Sequence, residues 1–197
     1  MTARIAEKAT YADLLRVPDT LVAELIGGEL YTSPRPSGPH SVAFSVLIGD
    51  LNPAYQRGRG GPGGWWILGE PEVHLLPDVV VPDIAGWRRE RMPEVPTTHV
   101  FSIAPNWICE VLSPSTARID RAKKLRIYAE HDVSHAWLID PIERFLEVKR
   151  LEQGRWTDVS VFSGNDKVIA EPFPDVEIDL ADIWGPTPED DLPLPTP

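Results

Sequence analysis

Two apolar runs that each enclose a single acid constrain this chain more than any other feature. Val79-Val-Val-Pro-Asp83-Ile-Ala and Asn106-Trp-Ile-Cys-Glu110-Val-Leu read as buried strands. A carboxylate has no cheap place inside such a strand, because ionising it there costs several kcal/mol unless a cation or charged partner compensates. In the segment that follows, Lys124 stands one helical turn after Asp120 and one before Tyr128. Two enclosed acids and one lysine point to a metal site with an ammonium beside it.

A length of 197 residues suits one domain with a sizeable core. Thirty acids against 19 bases leave a net charge of -11, which disfavours capture of DNA or RNA by the surface as a whole. Any nucleic-acid contact must then come from local arginines, namely Arg57, Arg59, Arg88, Arg89 and Arg91, or from a bridging metal. The lone Cys109 excludes an internal disulfide and reads as a small core residue. No apolar leader or membrane-length apolar run is present, so a cytoplasmic location is the expectation.

Periodicity and punctuation predict a short helix over 11–16 and a hairpin pairing 21–26 with 29–31 across Gly27-Gly28. A loop over 33–39 leads to a helix from His40 to about Gln56, which Pro53 must disturb. Residues 57–64, with five glycines, resemble a phosphate cradle but lack the following Lys-Ser/Thr, so a flexible loop is the reading. Strands are expected at 65–68, 72–76, 79–87 and 106–112, a helix at about 116–131, and strands at 136–140, 145–151 and 156–162. Residues 185–197, with five prolines and three acids, read as a disordered tail after a domain spanning 1–184.

Helix, three strands, helix, strand is an α/β order with a mixed sheet, extended by the N-terminal hairpin and extra C-terminal strands. Ser115 or Thr116 can cap the second helix, and Ile119, Ala122, Leu125 and Ala129 form its expected core stripe. On spacing alone, Asp120 and Lys124 are a solvated i,i+4 pair beside that stripe.

Glu24-Leu-Ile-Gly-Gly-Glu-Leu, His40, Val81-Pro-Asp83-Ile, Glu110-Val-Leu-Ser-Pro-Ser-Thr116, Asp120-x-x-x-Lys124-x-x-x-Tyr128 and residues 133–141 occur in one order. In that order the chain resembles the Uma-two family of the PD-(D/E)xK nuclease-like superfamily, from about residue 10 to residue 184. The block from Glu110 to Thr116 with its trailing Asp, Lys and Tyr is the specific part. A Pro-Asp alone carries no weight, since the chain has four, at Asp19, Asp78, Asp83 and Asp175.

The resemblance implies a restriction-endonuclease-like core in which Asp83 and Glu110 lie on adjacent strands and ligate Mg²⁺ or Mn²⁺. It gives Lys124 the role of the superfamily's strand lysine, whose usual place is held here by Leu112. Glu70 is a weaker candidate ligand, His40 and Glu24 match family positions without an assigned role, and Asp120 and Tyr128 complete the surroundings. Two carboxylates suit a hard divalent ion, which lowers the pKa of a bound water and polarises a phosphodiester. The expected activity is metal-dependent hydrolysis of nucleic acid, DNA before RNA. The alternative is a non-catalytic nuclease-like module that binds a protein or nucleic acid.

Rival constellations are weaker. Glu147-Val148-Lys149 is the literal Glu-x-Lys tripeptide, but it falls on a strand that reads as an exposed sheet edge carrying a solvated charge pair. His131 and His135 straddle a helix end without a third zinc ligand, and Ser113 lacks a nucleophile-elbow pattern. The apolar runs Trp65-Trp66 and 145–151 exceed what one face needs to bury, so a homodimer is expected.

Overall fold

The computed structural model describes residues 8–185, so the tail expected over 185–197 lies, apart from Gly185, outside the described residues. Helix α1 (Tyr11–Leu14) is followed by β1 (Val22–Ile26) and β2 (Glu29–Ser33), an antiparallel hairpin whose last pair is Ile26 with Glu29. Gly27 and Gly28 between them have φ of 63° and 81°, the left-handed geometry a two-residue turn requires. Helix α2 (Gly38–Leu51) buries His40, Ala43, Leu47 and Leu51, and then widens into a π turn, Asn52–Gln56. Pro53 sits in that turn, where the missing N–H is accommodated by the altered pitch rather than by ending the helix.

Strands β3 (Trp65–Gly69), β4 (Glu72–Leu75), β5 (Asp78–Val80), β6 (Ile84–Arg88), β7 (Val100–Phe101) and β8 (Trp107–Val111) come next. The strand expected over 79–87 is two strands in two different sheets. Pro82 has no N–H to give a ladder, and the Val81 N–H is taken by Glu24 Oε1 at 2.8 Å, so the chain leaves one sheet at Val80 and joins the other at Ile84. Helices α3 (Ala117–Ile119) and α4 (Leu125–Glu130), joined by a π turn over Asp120–Lys124, occupy the expected helical segment. Strands β9 (His135–Asp140), β10 (Phe145–Glu152) and β11 (Arg155–Ser163) match the reading closely. The sequence reading had no counterpart for β12 (Lys167–Ala170), β13 (Phe173–Asp179) and α5 (Leu180–Trp184).

The central sheet is mixed, in the order β11-β10-β9-β8-β6-β3, with β8 and β9 parallel and the other neighbours antiparallel. Along β8, Trp107, Cys109 and Val111 join one core with α2, β13 and α5, while Ile108 joins the other core with Leu112 and α4. The second sheet, β2-β1-β5-β4-β7, packs on that α4 side. Cys109 is fully buried, as expected of a small core residue, and burial holds its thiol well above the usual range.

Strand β10 lies between β9 and β11, which corrects the expectation that it is a sheet edge. Its Leu146 and Val148 are core residues, and Trp65 is buried while Trp66 donates to the Met92 carbonyl at 3.0 Å. The runs thought to be in excess are therefore largely consumed within the chain, which removes the ground for expecting self-association from them. No helix among the described residues is long and apolar enough to cross a membrane.

Candidate active site

The site forms where β6 begins and β8 ends. Ile84 pairs with Cys109, so Asp83, the residue before β6, and Glu110, within β8, meet at one end of the sheet. Asp83 Oδ2 accepts from the Val111 N–H at 2.7 Å, which fixes the acid against the residue that follows Glu110. Asp83 Oδ1 lies 3.1 Å from His40 Nε2. Glu110 has the parity of Ile108 and points to the α4 side, where a strand of otherwise apolar residues places it next to the helix.

There the π turn presents Asp120 and Lys124 inward. Lys124 Nζ lies 2.9 Å from Glu110 Oε1, 3.0 Å from Glu24 Oε1, 3.2 Å from the Val81 carbonyl and 3.6 Å from Asp120 Oδ1. Tyr128 donates its hydroxyl to Glu110 Oε1 at 2.6 Å. With Glu110 2% and Lys124 3% exposed, the pair is buried. This corrects the reading of Asp120 and Lys124 as a solvated pair. It also corrects the expected stripe: Ala122 is exposed, and Asp120, Lys124, Leu125, Ile127 and Tyr128 face inward, because one π turn shifts the helical count. The expected side-chain cap is absent too: Thr116 caps the helix by position, but its hydroxyl meets Ser113 Oγ at 3.0 Å instead of a helix N–H.

One ammonium cannot balance the acids around it. Burial, with Asp120, Asp83 and Glu24 nearby, pushes the Glu110 carboxyl well above its usual range in spite of Lys124. Burial likewise raises Asp120. Burial alone would lower Lys124, but Glu110 and Glu24 outweigh it and hold the ammonium protonated far up the scale. Tyr128, desolvated beside Glu110, stays a hydroxyl.

Beside this cluster opens a cleft of about 250 Å³ lined by Asp83, Glu110, Lys124, Glu24, Asp120, Glu70 and His40, with Ser113, Ser115 and Thr116 also on its wall. Glu70 adopts φ 47°, held by its N–H donating to the Asp83 carbonyl at 2.8 Å; such left-handed backbone in a non-glycine residue often marks a functional position. His40 is buried and its Nδ1 has no partner among the described residues; desolvation alone would lower its pKa, but Asp83 outweighs it and raises it.

Among the described residues, no three His, Cys, Asp or Glu side chains come together as a ready-made metal cage. Two carboxylates nevertheless suit Mg²⁺, which is commonly held by one or two of them with water and substrate phosphate filling the remaining positions. An excess of buried carboxylate over ammonium also suits a divalent cation. Asp83 and Glu110 are the residues that fit it.

The literal tripeptide does not reach this cleft. Glu147 is clamped by Arg121 at 2.7 and 2.9 Å and by Lys149 at 3.0 Å, and Lys149 also pairs with Asp158. His131 Nδ1 is 3.0 Å from the Ile127 carbonyl, and His135 faces Glu171, so the two histidines serve different neighbours. Ser113 hydrogen bonds with Ser115 and Thr116 rather than with a histidine. The Val81 carbonyl and Val111 amide escaped the sequence reading, since backbone groups carry no residue signal.

The Uma2 family model, described as "Putative restriction endonuclease", matches residues 9–181. Among solved structures, a "putative nuclease belonging to DUF820" from Anabaena variabilis ATCC 29413 is similar, with a TM-score of 0.73 and 25% sequence identity over 89% of this chain and 97% of that one. No curated protein matches the chain.

Proposed function

The chain belongs to the Uma2 family, and from that membership we propose that it is a nuclease that hydrolyses phosphodiester bonds, DNA before RNA, with Mg²⁺ or Mn²⁺ held by Asp83 and Glu110. The observation that carries this reading is the buried Lys124 among Glu24, Glu110 and Asp120, lining one cleft with Asp83. When bound, such a cation lowers the pKa of a water and polarises the phosphodiester. The chain's own residues supply position and charge. Val111 N–H and His40 hold Asp83, so its carboxylate meets substrate in a fixed orientation. Tyr128 and Lys124 do the same for Glu110, and in this reading the buried Lys124 ammonium acts as a fixed positive charge behind that carboxylate as negative charge builds on the phosphodiester. Glu70, Glu24 and Asp120 add negative potential that favours a cation.

A second reading, a nuclease-like module that binds without cutting, is favoured by one observation. The three N–H donors of Lys124 already have Glu110, Glu24 and the Val81 carbonyl as partners, which leaves none free for substrate. Calorimetric titration of Mn²⁺ into wild type, Asp83→Asn and Glu110→Gln, followed by a screen of single- and double-stranded DNA and RNA, separates the two. The nuclease reading expects binding and cleavage in wild type and loss of both in the variants. Metal binding with no cleavage of any substrate favours the module. Absence of metal binding in wild type overturns the metal-dependent reading.

A further inference from the structure

At the far end of β3 and β6 from the cleft, five arginines gather on a protein that is otherwise strongly acidic. Arg57 and Arg59 lie in the glycine loop before β3, and Arg88, Arg89 and Arg91 lie where β6 ends; all five are exposed. Arg89 joins the two segments, its N–H donating to the Gly64 carbonyl at 2.9 Å and its Nη2 to the Gln56 carbonyl at 2.9 Å. None of these five forms an ion pair among the described residues, as Arg16, Arg121, Arg126 and Arg150 do; Arg35, Arg118, Arg144 and Arg155 are unpaired too, but they are scattered along the chain rather than grouped. Only Glu90 and Glu94 offset them in the adjoining segment.

The group is also held in shape. The Arg88 guanidinium lies 4.7 Å from the Trp65 ring centroid and that of Arg89 4.1 Å from Trp66, so each planar fork is fixed against an aromatic face with donors left over. The glycine loop is pinned rather than flexible. Arg57 and Arg59 donate backbone N–H groups to Asn52 and Pro53, Gly63 donates to Ala54, and a Cβ on Gly61 would come within 2.6 Å of Ala54. A loop built on glycine geometry, which carries two arginines and no acid outward, is matched to an anionic partner.

We propose that this arginine end is a docking surface for the phosphate backbone of DNA. It rests on the nuclease reading for the identity of the polyanion. Ile84 to Arg88 spans about 13 Å at the rise of a strand, or roughly four base-pair steps of duplex. A DNA segment engaged at the cleft therefore extends far enough for flanking phosphates to meet the arginines. Local neutralisation there offsets the -11 charge of the whole chain.

The test compares wild type with the triple variant Arg57→Ser, Arg59→Ser, Arg91→Ser, which spares the two stacked arginines. Anisotropy of labelled single-stranded and duplex DNA is followed in EDTA across a salt series, with a thermal melt confirming the fold of the variant. The expected result is weaker binding by the variant and a log–log salt slope shallower by roughly 2 to 3 for duplex. Equal affinity and slope in the two proteins overturns the proposal, as does wild type that binds no DNA at low salt. Wild type that only doubles its mass at low salt, through these arginines, assigns the face to a second copy and overturns it too. Cleavage with Mn²⁺ is scored separately. Binding lost in the variant while neither protein cuts keeps the surface and sinks the nuclease reading; cutting by wild type with binding unchanged in the variant does the reverse.

Discussion

Two glutamate–lysine pairs in this molecule have opposite electrostatics. Glu147 on β10 pairs with Lys149 two residues on, matches the superfamily's literal tripeptide, and is outnumbered by cations: the Arg121 hydrogen bonds, with Lys149, hold its carboxyl below the usual range. Glu110 pairs with Lys124 fourteen residues on and is outnumbered by acids, so burial and those acids push it up. The first pair is complete as it stands. The second is a charge arrangement with a cation too few, and that deficit marks a site better than the spelling of a motif.

The largest effect should come from removing the buried lysine. Lys124→Ala leaves Glu24, Glu110 and Asp120 buried without a counter-charge, and breaking a buried pair in this way costs about 3 to 5 kcal/mol. Urea denaturation measures it, and a loss as small as that of Lys149→Ala would erase the contrast. Tyr128→Phe comes next, since it deletes a buried donor to Glu110 and should cost about 1 to 3 kcal/mol; an unchanged midpoint would mean that Glu110 finds another donor.

pH sharpens the comparison. A carboxyl whose pKa is raised on folding binds protons more tightly in the native state, so the contribution of Glu110 is complete below its ordinary value of 4.5 and is lost as pH rises through the folded value. Metal-free protein in EDTA should therefore lose stability from this cluster on going upward from pH 4.5, and Glu110→Gln should flatten that slope. Glu147 is lowered, so its contribution is present above 4.5 and fades only as pH falls below it. Melting curves that rise steadily with pH above 4.5, equally in wild type and Glu110→Gln, would contradict the assignment. The smallest effect is Lys149→Ala, expected below about 1 kcal/mol because Asp158 is 62% exposed and Glu147 keeps Arg121.

Much of the fold was legible because apolar and β-branched runs are set off by turn residues. Residues 29–31, 136–140 and 156–162 fall inside the observed strands β2, β9 and β11. The reading failed where a side chain or a change of pitch intervenes. Apolar periodicity sees 79–87 as continuous; it cannot see that Glu24, far away in sequence, captures the Val81 amide. It counts 116–131 at 3.6 residues per turn, so it placed Ala122 inside and left Lys124 beside the stripe. The acids Asp83 and Glu110 stood out because no other charged residue shares their runs. Glu24 and Asp120 did not, since their surroundings in sequence are those of an ordinary hairpin and an ordinary helix face.

The π turn at Asp120–Lys124 amounts to one residue more than a regular helix would use there. Each residue advances a regular helix by about 100°, whereas the wide turn takes up its extra residue locally and leaves the segments on either side in register. Lys124 and Tyr128 therefore keep their places against Glu110 although the segment between Ile119 and Leu125 departs from regular pitch.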